Sequence, residues 1–156
     1  MQTEALEQPL TYEEERGKPM PSRNHGAIQA NLIGQFIQQR DFRVYSELSL
    51  EFGGKPLTPD LSIYSREPLD FRHDEVQRTD PPLLVVEILS PTQGYQSVMD
   101  KVAAYFQNGV KSCWIVSPPI RAITILKPDG TEEVFHSGVA KDPAIGLTAD
   151  VAAVFS

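Results

Sequence analysis

Cysteine is almost missing from this chain: Cys113 is the only one in 156 residues. That excludes an intrachain disulfide and a cysteine-based zinc site, and the apolar neighbours of Cys113 mark it as a packing residue. No apolar run approaches the ~20 residues that a membrane-crossing helix needs. The first residues, Met1 to Glu7, are acidic and lack the basic and apolar regions of a secretion signal, so the cytoplasm is the expected compartment. Basic residues are in the minority, 14 Lys and Arg against 21 Asp and Glu, for a net charge of −7. A chain that holds nucleic acid by bulk electrostatics is usually basic, so tight nonspecific DNA affinity is not expected. A metal-centred site is less affected, because carboxylates gathered around a divalent cation contribute to such a balance. Repeats and low-complexity tracts are also lacking, and residues 1–156 read as one domain, long enough to bury a core.

What is present centres on Pro81-Pro82-Leu83-Leu84-Val85-Val86-Glu87-Ile88-Leu89-Ser90-Pro91. A short apolar run closed by prolines describes a strand buried on both faces, in the middle of an α/β sheet. Glu87 shares a face with Leu83, Val85 and Leu89, where an uncompensated charge costs several kcal/mol. A metal ion, a cationic side chain or a proton can compensate it, and a purely structural hydrogen-bonded glutamate fits the same pattern.

In chain order, Glu13-Glu14-Glu15 is an acidic run that reads as a solvated face, followed by a turn at Arg16-Gly17 and the prolines Pro19 and Pro21. Ile28, Leu32, Ile33 and Phe36 fall at helical spacing behind Ser22 or Asn24 as a cap. His25 at the start of that helix suits a ligand, a substrate phosphate contact or a capping group, the structural role being the simplest. Residues 42–52 alternate as a strand, Gly53-Gly54-Lys55-Pro56 supplies a hairpin turn, and residues 57–64 form the second arm with Pro59-Asp60 early in it. Residues 65–80 are charged and read as a mobile surface loop. After the central strand a helix runs from about Tyr95 to Gln107 and stops at Asn108-Gly109. Its apolar stripe contains Val98, Val102, Tyr105 and Phe106, and Lys101 lies on that same inward stripe, where it can snorkel or reach a buried carboxylate. Residues 110–118 form a further buried strand, parallel to the central one through a right-handed crossover. Residues 121–126 and 132–136 form a hairpin around Lys127-Pro128-Asp129-Gly130, and residues 146–155 end the chain as a short strand or helical turn.

Helix, strand, strand with Pro59-Asp60, strand with Glu87, helix with Lys101, strand is the αβββαβ order of the restriction-endonuclease-like core. The chain resembles the PD-(D/E)-x-K nuclease superfamily, and more closely a large bacterial family of predicted restriction endonucleases that is abundant in cyanobacteria. The carriers, spanning nearly the whole chain, are Thr11-Tyr12-Glu13 with Gly17, His25-Gly26, Pro59-Asp60-Leu61-Ser62-Ile63, Val85 to Pro91, Asp100-Lys101, Tyr105, Gly109-Val110 and Trp114-Ile115-Val116.

The resemblance implies an α/β (α+β) fold with a mixed central sheet flanked by helices, and a Mg²⁺-dependent endonuclease acting on DNA, with Mn²⁺ as a substitute. It implies that Asp60 and Glu87 bind the metal together with the Ile88 backbone carbonyl, in keeping with the hard oxygens magnesium prefers. Two departures stand out. The superfamily's lysine falls two residues after Glu87, where this chain has Leu89, and Lys101 is the natural replacement. Related nucleases also draw a carboxylate from the first helix, but residues 26–39 contain none; Glu47 or Glu13 can serve instead, Glu47 being better placed. A homodimer is expected of a nuclease that cuts both strands, with the Trp114 region or the C-terminal hairpin as interface. The alternative function is a catalytically inactive nuclease fold kept for DNA binding or protein interaction.

Overall fold

A computed structural model describes Pro9, Thr11, Glu14 and residues 18–156. Helix α1, Arg23–Phe36, starts where the Ser22 hydroxyl accepts the His25 N–H at 3.2 Å, and it buries His25, Ile28, Leu32 and Phe36 along one stripe. Strand β1, Phe42–Ser46, follows after a short turn. The alternating run expected to continue to Phe52 breaks at Glu47, whose φ of 56° is left-handed, and only the two-residue β2, Ser49–Leu50, resumes beyond it. A left-handed residue cannot continue a pleat. Its N–H instead donates to the Asp60 carbonyl at 3.1 Å, which ties the break to Asp60.

The hairpin's second arm is correspondingly shorter than expected. Leu50 and Leu57 exchange backbone hydrogen bonds across the Gly53-Gly54 turn, but strand β3 is Leu61–Ser65, so Pro59-Asp60 stands just before it. Residues 65–80 carry one short strand, β4 at Gln77–Arg78, parallel to β2. The loop is anchored rather than loose. Arg78 donates to Glu67 Oε2 at 3.0 Å and Asp80 Oδ1 at 2.7 Å, and its guanidinium stacks 3.8 Å from the centre of the Tyr64 ring.

Strand β5, Leu84–Ile88, is buried at every position. Helix α2, Tyr95–Gln107, leads to β6, Ser112–Ser117, which pairs with β5 in parallel as the crossover predicts. Gly109, at φ 98°, reverses the chain between them, and a Cβ there would meet the Pro81 ring at 3.3 Å. A turn of 3₁₀ helix at Pro118–Ile120 precedes the hairpin β7, Ala122–Leu126, and β8, Glu132–Phe135. The end of the chain combines both expectations: β10, Thr148–Asp150, pairs with β9, Val139–Lys141, and a last helical turn, α3, covers Val151–Val154.

The six-stranded sheet runs β1-β3-β5-β6-β7-β8, mixed in direction, with α1 and α2 covering opposite faces. Strand alternation therefore splits the core in two. Leu84, Val86 and Ile88 pack under α1 with Leu32, Phe36 and Trp114, while Val85 packs under α2 with Val98, Val102, Tyr105 and Cys113. Each fully buried apolar side chain is worth about 1.5–3 kcal/mol, so both layers contribute to holding β5 rigid. Trp114 is wholly buried, in edge contact with Phe36 at 5.6 Å, and its indole donates inward to Asp142; it cannot serve as a dimer interface. Among the described residues no helix is long and apolar enough to cross a membrane.

Candidate active site

Strands β3 and β5 pair antiparallel with Leu61 opposite Val86. One step further along each strand places Asp60 against Glu87, both 1 % exposed. Asp60 lies where the pairing ends, so its Oδ2 accepts the Ile88 N–H at 2.7 Å instead of meeting a ladder partner. Its carbonyl is held too, by the Gln29 side-chain amide and the Glu47 N–H, each at 3.1 Å. The proline before Asp60 brings no N–H of its own to compete.

The second oxygen of Asp60 is shared by two side-chain donors. Its Oδ1 accepts from the Lys18 ammonium and from His25 Nε2 at 2.9 Å. Lys18 also donates to Glu47 Oε2 at 3.1 Å and to the Thr58 carbonyl at 3.2 Å, so three acceptors share its three protons. Burial alone would lower the Lys18 pKa, but Asp60, Glu87 and Glu47 outweigh it and hold the ammonium charged above its ordinary value. For Asp60 burial pushes upward, and the His25 hydrogen bond and the Lys18 charge bring the net shift below the usual carboxylate range.

Glu87 lies on the α2 face, where its Oε1 accepts the buried Tyr105 hydroxyl at 2.5 Å. Burial and the neighbouring Asp60 charge push its pKa up to about 7, against the pull of Lys101, Lys18 and the Tyr105 hydrogen bond. The Tyr105 phenol is itself pushed well above its ordinary value, by burial and by Glu87. Two carboxylates thus stand side by side with opposite shifts, the arrangement by which active sites separate acid and base roles.

The structure brings Asp60, Glu87 and Ile88 together and places Lys101, half-buried on α2, within electrostatic reach of Glu87. Glu47 joins through Lys18. His25 is buried against Asp60, so here it steadies the carboxylate instead of meeting solvent, and its Nδ1 has no hydrogen-bond partner among the described residues. Glu13 lies outside the described residues. Three contributors escape the sequence reading. Lys18 stands between a glycine and a proline in the sequence, with no local pattern to mark it. Gln29 occupies the helix that lacks a carboxylate. Tyr105 reads as one more apolar residue, although a tyrosine four residues after Lys101 on an inward stripe carries a hydroxyl that needs an acceptor.

The donor set suits a hard divalent cation. Among the described residues no three His, Cys, Asp or Glu side chains converge on one point, so the protein would offer two carboxylates and leave the remaining positions to water and substrate. That is how magnesium is commonly held. Lys18 feels all three carboxylates, Asp60, Glu87 and Glu47.

The profile of the Uma2 family, described as "Putative restriction endonuclease", matches residues 7–152. Among solved structures, a protein described as a putative nuclease belonging to DUF820, from Anabaena variabilis ATCC 29413, is similar with a TM-score of 0.73 and 25% sequence identity, over 88% of this chain and 83% of that one. No curated protein sequence matches the chain.

Proposed function

Since the chain belongs to the Uma2 family of restriction-endonuclease-like proteins, we propose that it is a metal-dependent endonuclease hydrolysing phosphodiester bonds in DNA, with Asp60, Glu87 and Lys101 as its active residues. The observation that carries this is the buried Asp60–Glu87 pair, compensated by the Lys18 ammonium and not by neutral donors alone. Asp60, Glu87 and the Ile88 carbonyl would hold Mg²⁺, or Mn²⁺ in its place. When bound, the ion supplies positive charge to the phosphate oxygens and lowers the pKa of a coordinated water.

The chain's own groups do the rest. The Ile88 N–H and His25 Nε2 fix the Asp60 carboxylate, and the Tyr105 hydroxyl fixes Glu87, so neither has to reorganise during reaction. The Lys101 ammonium orients the attacking water and offsets the negative charge that develops on the phosphate. A homodimer in the cytoplasm completes the reading, with the β7–β8 hairpin as the remaining interface candidate. Light scattering that shows a monomer at every concentration would remove the dimer.

A noncatalytic reading is favoured by one feature, the Lys18 ammonium lying on Asp60 where a metal would compete for the same oxygen. Cleavage of supercoiled plasmid and of single-stranded DNA with Mg²⁺, Mn²⁺ or EDTA, beside Glu87→Ala, separates the two. Metal-dependent cleavage that the variant lacks supports the nuclease. Absence of both cleavage and calorimetric Mn²⁺ binding leaves the noncatalytic module.

A further inference from the structure

Away from the carboxylates, an open hollow of about 570 Å³ lies at the edge of the sheet, between the end of α1 and strand β1. Three arginines line it, Arg40, Arg43 and Arg66, over a floor that includes Ile37, Phe42 and Val44, and no acidic side chain is among the described lining residues. In a chain of net charge −7 such a grouping runs against the average. Among the described residues none of the three forms an ion pair within 4 Å; the nearby acids are Asp41, exposed, and Glu67, which is engaged by Arg78 and Tyr45.

Arg43 is the anchor. Its Nη2 donates to the Glu67 carbonyl at 2.9 Å, which fixes the guanidinium, while its Nε is buried without a hydrogen-bond partner among the described residues. A buried donor left without an acceptor is destabilising, and an oxygen seated against the guanidinium relieves it. A guanidinium fork flanked by two more arginines is the geometry that recognises phosphate oxygens.

We propose that Arg40, Arg43 and Arg66 form a phosphate-binding site that holds the backbone of the nucleic-acid substrate beside the cleavage centre. The DNA source rests on the nuclease reading; the phosphate chemistry does not. Arg43 pairs with Tyr64, and Asp60 lies four positions before Tyr64, at the residue that leads into that strand. That is roughly 13 Å at ~3.3 Å per residue, about four base-pair steps of duplex, so one helix reaches both places. The same site explains how an acidic protein grips a polyanion: cations concentrated on one edge act where the net charge does not.

The test is run in EDTA, so that binding is read without cleavage and an inactive protein overturns only the nuclease reading. Anisotropy of a labelled 20-base-pair duplex is followed across a salt series for wild type and for Arg40→Gln/Arg66→Gln, a pair of exposed positions whose exchange leaves the fold intact. The variant is expected to flatten the slope of log K against log salt by about 1–2 units, one phosphate contact being worth ~0.9. In parallel, the Arg43 Nε–H resonance is followed with inorganic phosphate and with chloride at equal ionic strength, and a phosphate-specific shift is expected. A phosphate-specific shift with an unchanged DNA slope, or wild type that does not bind the duplex at low salt, overturns the backbone assignment. No shift and no change of slope overturns the site altogether.

Discussion

Two buried acidic groups in this molecule are compensated in opposite ways. Asp142 is fully buried, and its oxygens accept from the Trp114 indole at 3.1 Å and from the Ala144 and Ile145 N–H groups at 3.0 Å each. All three donors are neutral, directional and part of the covalent frame. Asp60 and Glu87 share instead an ammonium, an imidazole, a phenol and one backbone N–H. Neutral donors fix a carboxylate and leave it nothing further to bind, whereas a side-chain ammonium occupies a place that another cation can take. The first arrangement locks a corner between β9 and β10; the second leaves a site open to chemistry.

The sharpest way to break this comparison is to neutralise one acid in each region. Glu87→Gln keeps the shape and the Tyr105 hydrogen bond but removes a ligand charge. Metal-dependent cleavage is expected to fall by on the order of a thousandfold, the several kcal/mol a metal supplies at the transition state. The melting temperature should stay level or rise, because a buried charge has gone. Cleavage that survives at the wild-type rate refutes the assignment. Asp142→Ala should do the reverse: it strands the buried Trp114 indole and frees two part-buried N–H groups, and it costs about 1–3 kcal/mol of stability by chemical denaturation, while the cleavage rate per folded molecule is unchanged.

A pH series sharpens the contrast. Burial and the Asp60 charge push the folded Glu87 pKa up to about 7, above the ordinary glutamate value of 4.5. The folded state therefore keeps a proton that the unfolded chain has lost, and the stability this confers is full below the unfolded pKa and falls as pH rises through 7. For the metal-free protein the loss amounts to about 3 kcal/mol between pH 4.5 and 7. Asp60 acts in the opposite direction, its lowered pKa giving stability that disappears only as pH falls below the usual carboxylate range. Denaturation at a set of pH values, with Glu87→Gln as the flat reference, measures the Glu87 part. An equal slope in wild type and variant removes Glu87 as its source. Metal affinity should rise over the same interval, since a proton and the ion compete for one carboxylate.

How much of this could be read from residues alone follows from the range of each interaction. The β5-α2-β6 unit shows in the apolar runs and the crossover length, because burial and period are local properties. Glu87 stands out for the same reason, as a charge inside an apolar run. The break at Glu47 leaves no trace, since alternation continues on both sides and its cause is Asp60, far along the chain. Lys18 is hidden more deeply: its three acceptors lie 29, 40 and 42 residues away. The arginine hollow is likewise assembled from a turn, an edge strand and the start of a loop, and three scattered arginines form no motif.

Lys18 offers the finest test of whether exchangeable charge defines the site. Lys18→Met removes one cation from Asp60 but leaves His25 and the Ile88 N–H in place. In EDTA the variant should be less stable by roughly 1–3 kcal/mol, the cost of a partly uncompensated buried charge. With saturating Mn²⁺ the gap should close, because the ion takes over the work of the ammonium, and calorimetry should show Mn²⁺ binding several-fold tighter than in wild type. If affinity is the same in both proteins, Lys18 and the metal do not compete, and the ammonium is then as structural a partner as the Trp114 indole is to Asp142.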